Sequence, residues 1–396
     1  MLFKIIRNLP SYNNIRRKLN PGRRLVIVGM IDSTHFQKWV FELSELKLFS
    51  AIWLFPSDCP KSDFRRTYQS ANTKIYRFNF KLGSYFGWAI FKMLDLYFGM
   101  AWRSLLLSRL LKSIKPHVIH FHEIQHGAYI FNSISKSSKS DAKVVTSTWG
   151  SDILLYGQVP SQIPAVTDVL SWTDILTSER GADLPLAREL GFKGNFLAPT
   201  YITVGSEFVD LSKSTLTSLR RGIIIKGYQD VPGRALNIMR AIDLLGVILS
   251  GYEIYVYSTE RSPAVRIQAE LLAKKYGLSI NLLPKMKHEE LMEYFKKSRI
   301  YIGMSISDGL STSMVEAMSN GVFPIQSENS AASEFIEDGV TGMILDPWNI
   351  DGISDAIRKS LLDDLMVDKA AIKNAETINL QYSLELGKNR ISHLYS

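Results

Sequence analysis

Apolar residues along this chain fall into short continuous runs that alternate with amphipathic stretches of helical period. Runs such as Arg24–Gly29 (RLVIVG) and Gly222–Gly227 (GIIIKG) are rich in β-branched residues, as in strands of a parallel sheet that is buried on both faces. The amphipathic stretches that follow have apolar residues three and four positions apart, which is typical of helices that cover a sheet. This alternation predicts an α/β fold with two Rossmann-like, doubly wound domains that face one cleft.

The predicted elements follow from where the apolar runs begin and end. In the first half we predict strands over 24–29, 50–55, 74–80, 115–121, 143–148 and 175–178, with helices near 36–46 and 180–191. In the second half we predict strands over 222–227, 253–258, 280–283, 299–306, 322–327 and 342–345, with helices over 234–245, 263–276, 288–298, 311–319, 330–337 and 349–362.

The domain boundary falls near 196–212, although no long glycine- and serine-rich linker marks it. We expect an N-terminal acceptor-side domain over 1–205 and a C-terminal domain over 206–380 that holds the nucleotide. For the last segment, 381–396, packing back onto the N-terminal domain is an open alternative.

Residues 80–111 combine many aromatic and aliphatic side chains with charges that interrupt the run too often for a membrane-spanning helix. One interpretation is a core helix. The other is an interfacial patch, in which Lys92 and Arg103 extend to lipid phosphates while aromatic rings enter the headgroup region. The aromatic residues of that patch would be Tyr85, Phe86, Trp88, Phe91 and Trp102.

Composition narrows the class of protein. The chain has 396 residues, which is enough for two domains. Its one cysteine, Cys59, excludes a disulfide framework and a cysteine-based zinc site, and fits a reducing cytoplasm. The net charge of +9 favours anionic partners such as nucleotide phosphates, and no nucleic-acid-binding signature accompanies it.

The first twenty residues lack the apolar core and the cleavage site of a secretory signal. We therefore expect a cytoplasmic protein. The same residues form a basic amphipathic arm, which is either a solvated terminus or a contact with an anionic membrane surface. The second alternative would make the protein peripheral on the inner face of the membrane.

The stretch Arg299–Gly321 carries the candidate chemistry. An apolar strand leads through a short loop into a helix that starts with the cap residues Ser311–Ser313 and ends at Asn320-Gly321. A helix N-terminus at the end of a buried strand is a natural seat for phosphate. Asp308 and Glu316, eight positions apart, could accept hydrogen bonds from paired hydroxyls of the same ligand, or could simply be capping and surface acids.

The stretch Asp308–Glu316 (DGLSTSMVE) resembles the carboxylate-x7-carboxylate signature of retaining glycosyltransferases with the GT-B fold, of group 1 or family 4. The family usually begins this signature with Glu, whereas Asp308 is one methylene shorter. Segment 115–126 resembles the family's histidine-rich strand end, and Trp149 stands where the family often has His. The resemblance implies that Asp308 contacts the donor sugar and that Glu316 binds the ribose hydroxyls. It also implies that backbone amides hold the sugar hydroxyls and the diphosphate, at Gly309, Leu310, Ser311 and Thr312.

The resemblance further implies two cations that neutralise the departing diphosphate, and we assign them to Lys226 and Arg234. Fixed positive charge stabilises the growing negative charge of that leaving group more in the transition state than in the ground state. Arg221 is a competing candidate, and solvated surface cations are the alternative. The loop around Met286 is expected to hold the nucleotide base.

In the N-terminal domain we expect Gly29 to allow close approach of the donor, and we expect His35, His122 and Asp152 on the acceptor side. Asp152 could equally cap a helix. Strand alternation puts His120 and His122 on one face, so that metal binding is geometrically possible. The family uses no metal in its site, and we predict neither a metal nor a cofactor.

The sequence therefore predicts a metal-independent, retaining hexosyltransferase. It would transfer sugar from a nucleotide-diphosphate sugar to a glycan acceptor, which could be lipid-linked, in surface polysaccharide synthesis. Two other classes remain open. One is a nucleotide-sugar epimerase or phosphorylase of the same fold, and the other is a non-catalytic protein that binds sugar nucleotides.

Overall fold

The computed structural model describes residues 22–58, 73–77, 84–134, 141–197, 199–207, 209–212 and 214–396, without the side chains of residues 77 and 84–88. Several predictions fall on other residues and lie outside the described ones: the N-terminal arm, Cys59, the end of the strand 74–80, and three aromatic side chains of the proposed patch. The chain divides into two compact units. The first is Met1–Val204 with Gly387–Ser396, and the second is Gly205–Leu386.

The first unit contains a seven-stranded sheet in the order β3-β2-β1-β4-β5-β6-β7, in which every pair of neighbours is parallel. Its strands are β1 Arg24–Gly29, β2 Ala51–Pro56, β3 Lys74–Arg77, β4 Val118–His122, β5 Lys143–Ser147, β6 Ile175–Thr177 and β7 Asn195–Leu197. The order reverses direction between β1 and β4. In a doubly wound sheet, this switch point opens a crevice at the carboxyl ends of the two strands.

The second unit repeats the arrangement with a six-stranded parallel sheet in the order β12-β11-β8-β13-β14-β15. Its strands are β8 Gly222–Lys226, β11 Glu253–Tyr257, β12 Ser279–Leu282, β13 Ser298–Gly303, β14 Phe323–Ser327 and β15 Met343–Leu345. A separate two-stranded antiparallel hairpin consists of β9 Gln229–Asp230 and β10 Gly233–Arg234. Here the switch point lies between β8 and β13.

Helices cover both sheets. Those of the first unit are α1 Thr34–Glu45, α2 Ser84–Phe98, α3 Ala101–Ile114, α4 Tyr129–Asn132, α5 Ser151–Leu154, α6 Ile163–Trp172 and α7 Asp183–Glu189, with a π-helix at Ile124–Ala128. From the second unit onwards they are α8 Ala235–Leu245, α9 Pro263–Tyr276, α10 His288–Lys297, α11 Thr312–Ser319, α12 Ile350–Leu362, α13 Asp364–Gln381 and α14 Leu384–Leu394. Short 3₁₀ helices lie at Tyr156–Gln158, Thr217–Leu219, Gly246–Leu249 and Ala331–Glu334.

The predicted α/β class with two Rossmann-like domains is confirmed. The first strand, 24–29, has the predicted bounds because its residues carry no polar side chain after Arg24 and are buried from Leu25 onwards. Helix α9 also has the predicted bounds, because Pro263 occupies its first turn and Gly277 ends it in the left-handed conformation. In contrast, the segment 330–337 forms a 3₁₀ helix only at Ala331–Glu334. The loop predicted after β8 contains the hairpin β9–β10.

Helices α2 and α3 bury Phe91, Leu94 and Trp102 in the core of the first unit. Arg103 is also buried and forms an ion pair with Asp95 at 3.0 Å, so the prediction that it extends to lipid phosphates is wrong. Other apolar side chains of α2 are exposed to solvent. These are Met93, Leu96, Tyr97 and Phe98. Among the described residues we find no helix with the length and apolar character needed to cross a membrane.

The C-terminal residues 387–396 pack within the first unit. Lys388 forms an ion pair with Glu42 of α1 at 3.0 Å. The Tyr395 hydroxyl lies 2.5 Å from His120 Nδ1 and accepts a longer hydrogen bond from Trp39 Nε1 at 3.4 Å. The other ring nitrogen of His120 lies 2.6 Å from Ser147 Oγ. Tyr395, directly after helix α14, therefore connects through buried polar groups to the middle of β4 and the end of β5.

Candidate active site

The candidate donor site lies at the switch point of the second unit. Strands β8 and β13 are neighbours, and both run towards the same edge of the sheet. Lys226 is the last residue of β8, and the loop after β13 leads through Asp308 to the N-terminus of α11. The chain order thus brings a cation, a carboxylate and a helix N-terminus to one edge, as the sequence predicts.

Lys226 Nζ lies 3.4 Å from Asp308 Oδ2, and both side chains are mostly buried. Burial opposes the charge on Lys226, but the nearby Asp308 carboxylate outweighs it, so the pKa of Lys226 is raised. Lys226 is therefore a fixed ammonium ion at any working pH. Arg221, the rival cation, precedes the other end of β8, where its guanidinium lies over the ring of Tyr252.

Some of the backbone amides at the N-terminus of α11 can bind a ligand. Its cap residue, Ser311, has extended backbone angles but makes no side-chain hydrogen bond to the helix. The first amides of a helix have no partner within the helix, so those of Thr312 and Ser313 can donate to an anion. The amide of Gly309 instead donates to Asp308 Oδ1 at 3.0 Å. The Gly309 amide is thus already engaged, unlike the predicted run of ligand-binding amides from Gly309 to Thr312.

Glu316 lies in the second turn of α11 and is partly exposed. Its Oε1 atom accepts a hydrogen bond from His288 Nε2 at 2.7 Å. His288 is the first residue of α10, and the loop before it contains the half-buried Met286. The loop predicted to hold the base therefore leads directly to a side chain that touches the predicted ribose-binding acid.

Arg234 does not point at Asp308. Its guanidinium donates to the carbonyl of Asp230 and to that of Gly233, and lies 5.3 Å from the ring centroid of Trp348. The hairpin that carries it is attached to the site by its backbone, since Arg234 N donates to Met304 O at 2.7 Å. Burial raises the pKa of Asp230, although Lys226 and two arginines oppose this effect.

Two buried tyrosines also lie near the carboxyl edge of the second sheet. Tyr301 lies on β13, and its hydroxyl is 3.4 Å from Ser311 Oγ at the cap of α11. Tyr257 ends β11 and lies near Tyr301 and Glu316, and burial raises its pKa well above the ordinary value. Both phenols therefore remain protonated and can support the helix start. Neither tyrosine is recognisable from the sequence as a site residue, because a tyrosine within an apolar strand looks like a core residue.

In the first unit, the residues predicted at the carboxyl edge are more enclosed than expected. The position of a Cβ atom on Gly29 would lie 2.6 Å from the ring of Phe36, so packing of α1 already requires glycine there. His122 is fully buried among the rings of Phe36, Trp39 and Trp149. Burial lowers its pKa to about 3, and neither ring nitrogen has a hydrogen-bond partner among the described residues. The structure places it as a neutral packing residue rather than as an acceptor contact.

Asp152 is likewise buried and accepts hydrogen bonds from the backbone amides of Ile124 at 2.5 Å and Trp149 at 2.6 Å. Burial and the nearby Glu123 raise its pKa to about 7. It therefore ties the loop after β4 to the loop after β5 instead of facing an acceptor. This is close to the alternative in which Asp152 caps a helix, because the Trp149 amide precedes α5 and the Ile124 amide begins the π-helix.

Glu123 is a residue of this edge that the sequence did not indicate. Its φ of 65° is in the left-handed region, which costs a non-glycine residue about 1–3 kcal/mol. Its Oε2 atom pairs with His126 Nδ1 at 3.2 Å, and burial raises its pKa. The His126 ring is largely exposed. His35 is half-buried in the first turn of α1, so both histidines are accessible from the surface of the first unit.

Within the described part of the chain, no three His, Cys, Asp or Glu side chains form a group that could hold a metal ion. His120 and His122 do lie on one face, with ring centroids 4.2 Å apart, but His120 is engaged by Tyr395 and Ser147.

Two family models match parts of the chain. Residues 263–377 match the family described as glycosyl transferases group 1. Residues 97–178 match the family described as glycosyl transferase 4-like. The group 1 match includes helix α11 with Glu316, and also Asp308 and His288. The 4-like match includes the loops after β4 and β5. Among curated proteins, none matches this chain in sequence.

Solved structures with the same fold cover nearly the whole chain. A sucrose-phosphate synthase from Thermosynechococcus elongatus superposes with a TM-score of 0.70 at 13% identity, covering 94% of this chain and 98% of that one. HepE from Anabaena, solved with UDP-glucose, gives 0.67 at 10% identity, covering 93% and 98%. An E. coli protein named trehalose-6-phosphate and bound with UDP-2-fluoro glucose gives 0.69 at 12% identity, covering 94% and 99%.

The two parallel sheets with their switch points, together with these superpositions, define a protein of the GT-B class. The two family matches then make the assignment more specific. Residues 263–377 are similar to group 1 glycosyltransferases, and the resemblance carried by the stretch Asp308–Glu316, which lies within that match, is confirmed.

Proposed function

We propose that this protein is a retaining glycosyltransferase that moves a hexose-type sugar from a nucleoside-diphosphate sugar to a hydroxyl of a glycan. The second unit would bind the donor. The observation that carries the proposal is the pairing of Lys226 with Asp308 beside the N-terminus of α11, because a cation, a carboxylate and helix amides meet there. A diphosphate is bound by the cation and the helix amides, and sugar hydroxyls donate to the carboxylate.

In this arrangement Lys226 stabilises the leaving diphosphate. As the glycosidic bond breaks, negative charge grows on the phosphate oxygen, and a mostly buried ammonium ion is already in place to meet it. The amides at the start of α11 bind the other phosphate oxygens. We propose that this fixed charge makes a metal ion unnecessary, and we expect transfer to be unaffected by EDTA.

Asp308 would orient the donor sugar through its hydroxyls, and Glu316 would accept hydrogen bonds from the ribose. Arg234 could join Lys226 only by leaving the carbonyls of its own hairpin, since its guanidinium is held there. We assign it the smaller share of the diphosphate charge. Met286 lies in the loop that would face the base.

The acceptor would bind to the first unit, at the loops after β1, β4 and β5. We propose His35 and His126 as the groups that touch it, with the buried Glu123 holding His126, since these two imidazoles reach the surface whereas His122 and Asp152 do not. A glycan carried on a lipid, as in surface polysaccharide synthesis, would explain the exposed apolar side chains of α2. The protein would then act at the inner face of the membrane.

The test of catalysis is turnover of sugar nucleotides, with UDP-sugars first because two of the similar structures hold them. Incubation with UDP-glucose, UDP-galactose and UDP-N-acetylglucosamine, followed by NMR, should show release of UDP and of free sugar in the α-configuration. Appearance of an epimeric UDP-sugar would indicate the epimerase alternative. A rise in melting temperature without turnover of any sugar nucleotide would indicate a binding protein.

The membrane contact has its own test. Sedimentation with vesicles that contain phosphatidylglycerol should carry the wild type into the pellet, and the double substitution Leu96→Glu/Tyr97→Glu should weaken this. Because both side chains are exposed, the variant should fold normally. Equal sedimentation of the two proteins would show that Leu96 and Tyr97 of α2 do not contact the membrane.

A further inference from the structure

The contact between His288 and Glu316 joins two helices through more than one pair of residues. His288 and Met292 lie one turn apart on α10, and Glu316 and Asn320 lie one turn apart on α11. His288 Nε2 is 2.7 Å from Glu316 Oε1, and Met292 Sδ is 3.9 Å from Asn320 Nδ2. The two helices are thus in register at this point, which places His288 beside Glu316 although the imidazole itself is 62% exposed.

The hydrogen bond engages one oxygen of the Glu316 carboxylate. Since a carboxylate accepts only, Nε2 of His288 must carry the hydrogen that is donated. The other oxygen, Oε2, has no hydrogen bond to any described residue. Glu316 is about one-fifth exposed, so Oε2 can be reached by a ligand.

A glutamate has several rotatable bonds and loses much rotamer freedom when it is fixed by a ligand. A group that fixes the carboxylate before the ligand arrives removes that cost from binding and sharpens the distinction between ligands that do and do not offer a hydroxyl. His288 is in place to do this, because its hydrogen bond to Oε1 leaves Oε2 with a defined direction.

We propose that His288 is a positioning residue that fixes Glu316 for the ribose and so determines the selectivity for ribonucleotides over 2′-deoxyribonucleotides. The inference rests on the proposed function, in which Glu316 binds the ribose hydroxyls. His288 acts through Glu316 and does not touch the diphosphate or the reacting sugar. A surface ion pair without this role would change neither affinity nor selectivity.

The experiment measures dissociation constants by calorimetry for UDP, GDP and ADP and for the 2′-deoxy form of each. The ribonucleotide that binds the wild type most tightly is then compared with its own 2′-deoxy form in each variant. His288→Ala should weaken the ribonucleotide and reduce the ribo-to-deoxy preference by about tenfold, the size expected when a hydrogen bond to a charged group is lost. His288→Gln should retain the wild-type preference within about twofold, because its amide can donate to Oε1 as the imidazole does.

Two further variants make the test specific. Glu289→Gln changes an exposed neighbour in the first turn of α10 and should leave the preference unchanged. In a Glu316→Ala background, His288→Ala should have no additional effect, since its action passes through the carboxylate. An unchanged preference in His288→Ala, or an equal loss in the Glu316→Ala background, would overturn the inference. Failure of the wild type to bind any of the six nucleotides would instead overturn the proposed function.

Discussion

Lys226 and Asp308 are 82 positions apart in the chain, yet Lys226 Nζ lies 3.4 Å from Asp308 Oδ2. The order of strands in the second sheet produces this contact, because β8 and β13 are parallel neighbours with their carboxyl ends at one edge. The pair keeps a lysine charged where burial alone would favour its neutral form. A permanent positive charge thus lies beside the N-terminus of α11 before any donor binds.

Replacement of Lys226 by methionine should abolish most of the turnover while keeping the apolar stem that packs in the protein. We expect kcat to fall about 10²–10³-fold, as when one preorganised group that stabilises transition-state charge is removed. The measurement is UDP release from the sugar nucleotide that the wild type turns over.

Arg221→Met is the matched control, since it removes a cation from the opposite end of the same strand. It should retain nearly full activity. If the two variants lose activity equally, any positive charge near β8 supports the reaction, and Lys226 does not act specifically on the leaving diphosphate.

Tyr395→Phe should destabilise the first unit. The substitution removes the hydroxyl that lies against His120 Nδ1 and accepts from Trp39 Nε1, and both of these groups are buried. Leaving buried polar groups without partners costs about 1–3 kcal/mol in the free energy of unfolding. Chemical denaturation followed by tryptophan fluorescence measures this loss.

Tyr97→Phe serves as the comparison for that measurement, because Tyr97 is largely exposed and the same atom is removed. Its free energy of unfolding should stay within about 0.5 kcal/mol of the wild type. Equal stability of Tyr395→Phe and the wild type would mean that the C-terminal residues contribute no buried hydrogen bond to the first unit.

His122→Phe should reduce the sensitivity of the first unit to acid. The pKa of His122 is about 3 in the folded protein and near 6.5 when unfolded. Its neutral form therefore contributes full stability above pH 6.5, and this contribution is lost as the pH falls from 6.5 towards 3. Between pH 7.5 and pH 5, the wild type should lose about 2 kcal/mol more than the variant.

The readout is the change in unfolding free energy with pH, so any constant offset from the larger phenylalanine ring does not matter. His126→Gln is the control, since the pKa of that exposed imidazole is raised by Glu123 and its contribution has the opposite sign. It should not flatten the loss of stability in acid. A wild-type and a His122→Phe profile with the same slope would show that His122 takes up no proton on unfolding.

The sequence was sufficient for the elements whose boundaries depend on local chemistry. Continuous apolar runs predict the central strands, and Pro263 with Gly277 predicts both ends of α9. The meeting of Lys226 with Asp308 was also predictable, because the topology of doubly wound sheets is restricted. The C-terminal helices α13 and α14 were not predicted, since their apolar faces match partners that are distant in sequence.

Side-chain environments at the site depended on tertiary packing that no sequence pattern reveals. The burial of His122 follows from the position of Phe36 and Trp39 on α1, and the contact of His288 with Glu316 follows from how α10 packs on α11. The left-handed backbone of Glu123 is another such case, because a glutamate gives no local signal for it. The residues predicted on the acceptor side were therefore the least well placed.

We expect a nucleoside diphosphate to bind at the start of α11 with its ribose on Glu316. Calorimetric titration of UDP, GDP and ADP into the wild type and into Glu316→Ala tests it most directly. At least one nucleotide should bind the wild type, and Glu316→Ala should weaken this binding by about tenfold to a hundredfold. Equal affinity of both proteins for that nucleotide, or no binding to the wild type, would contradict it.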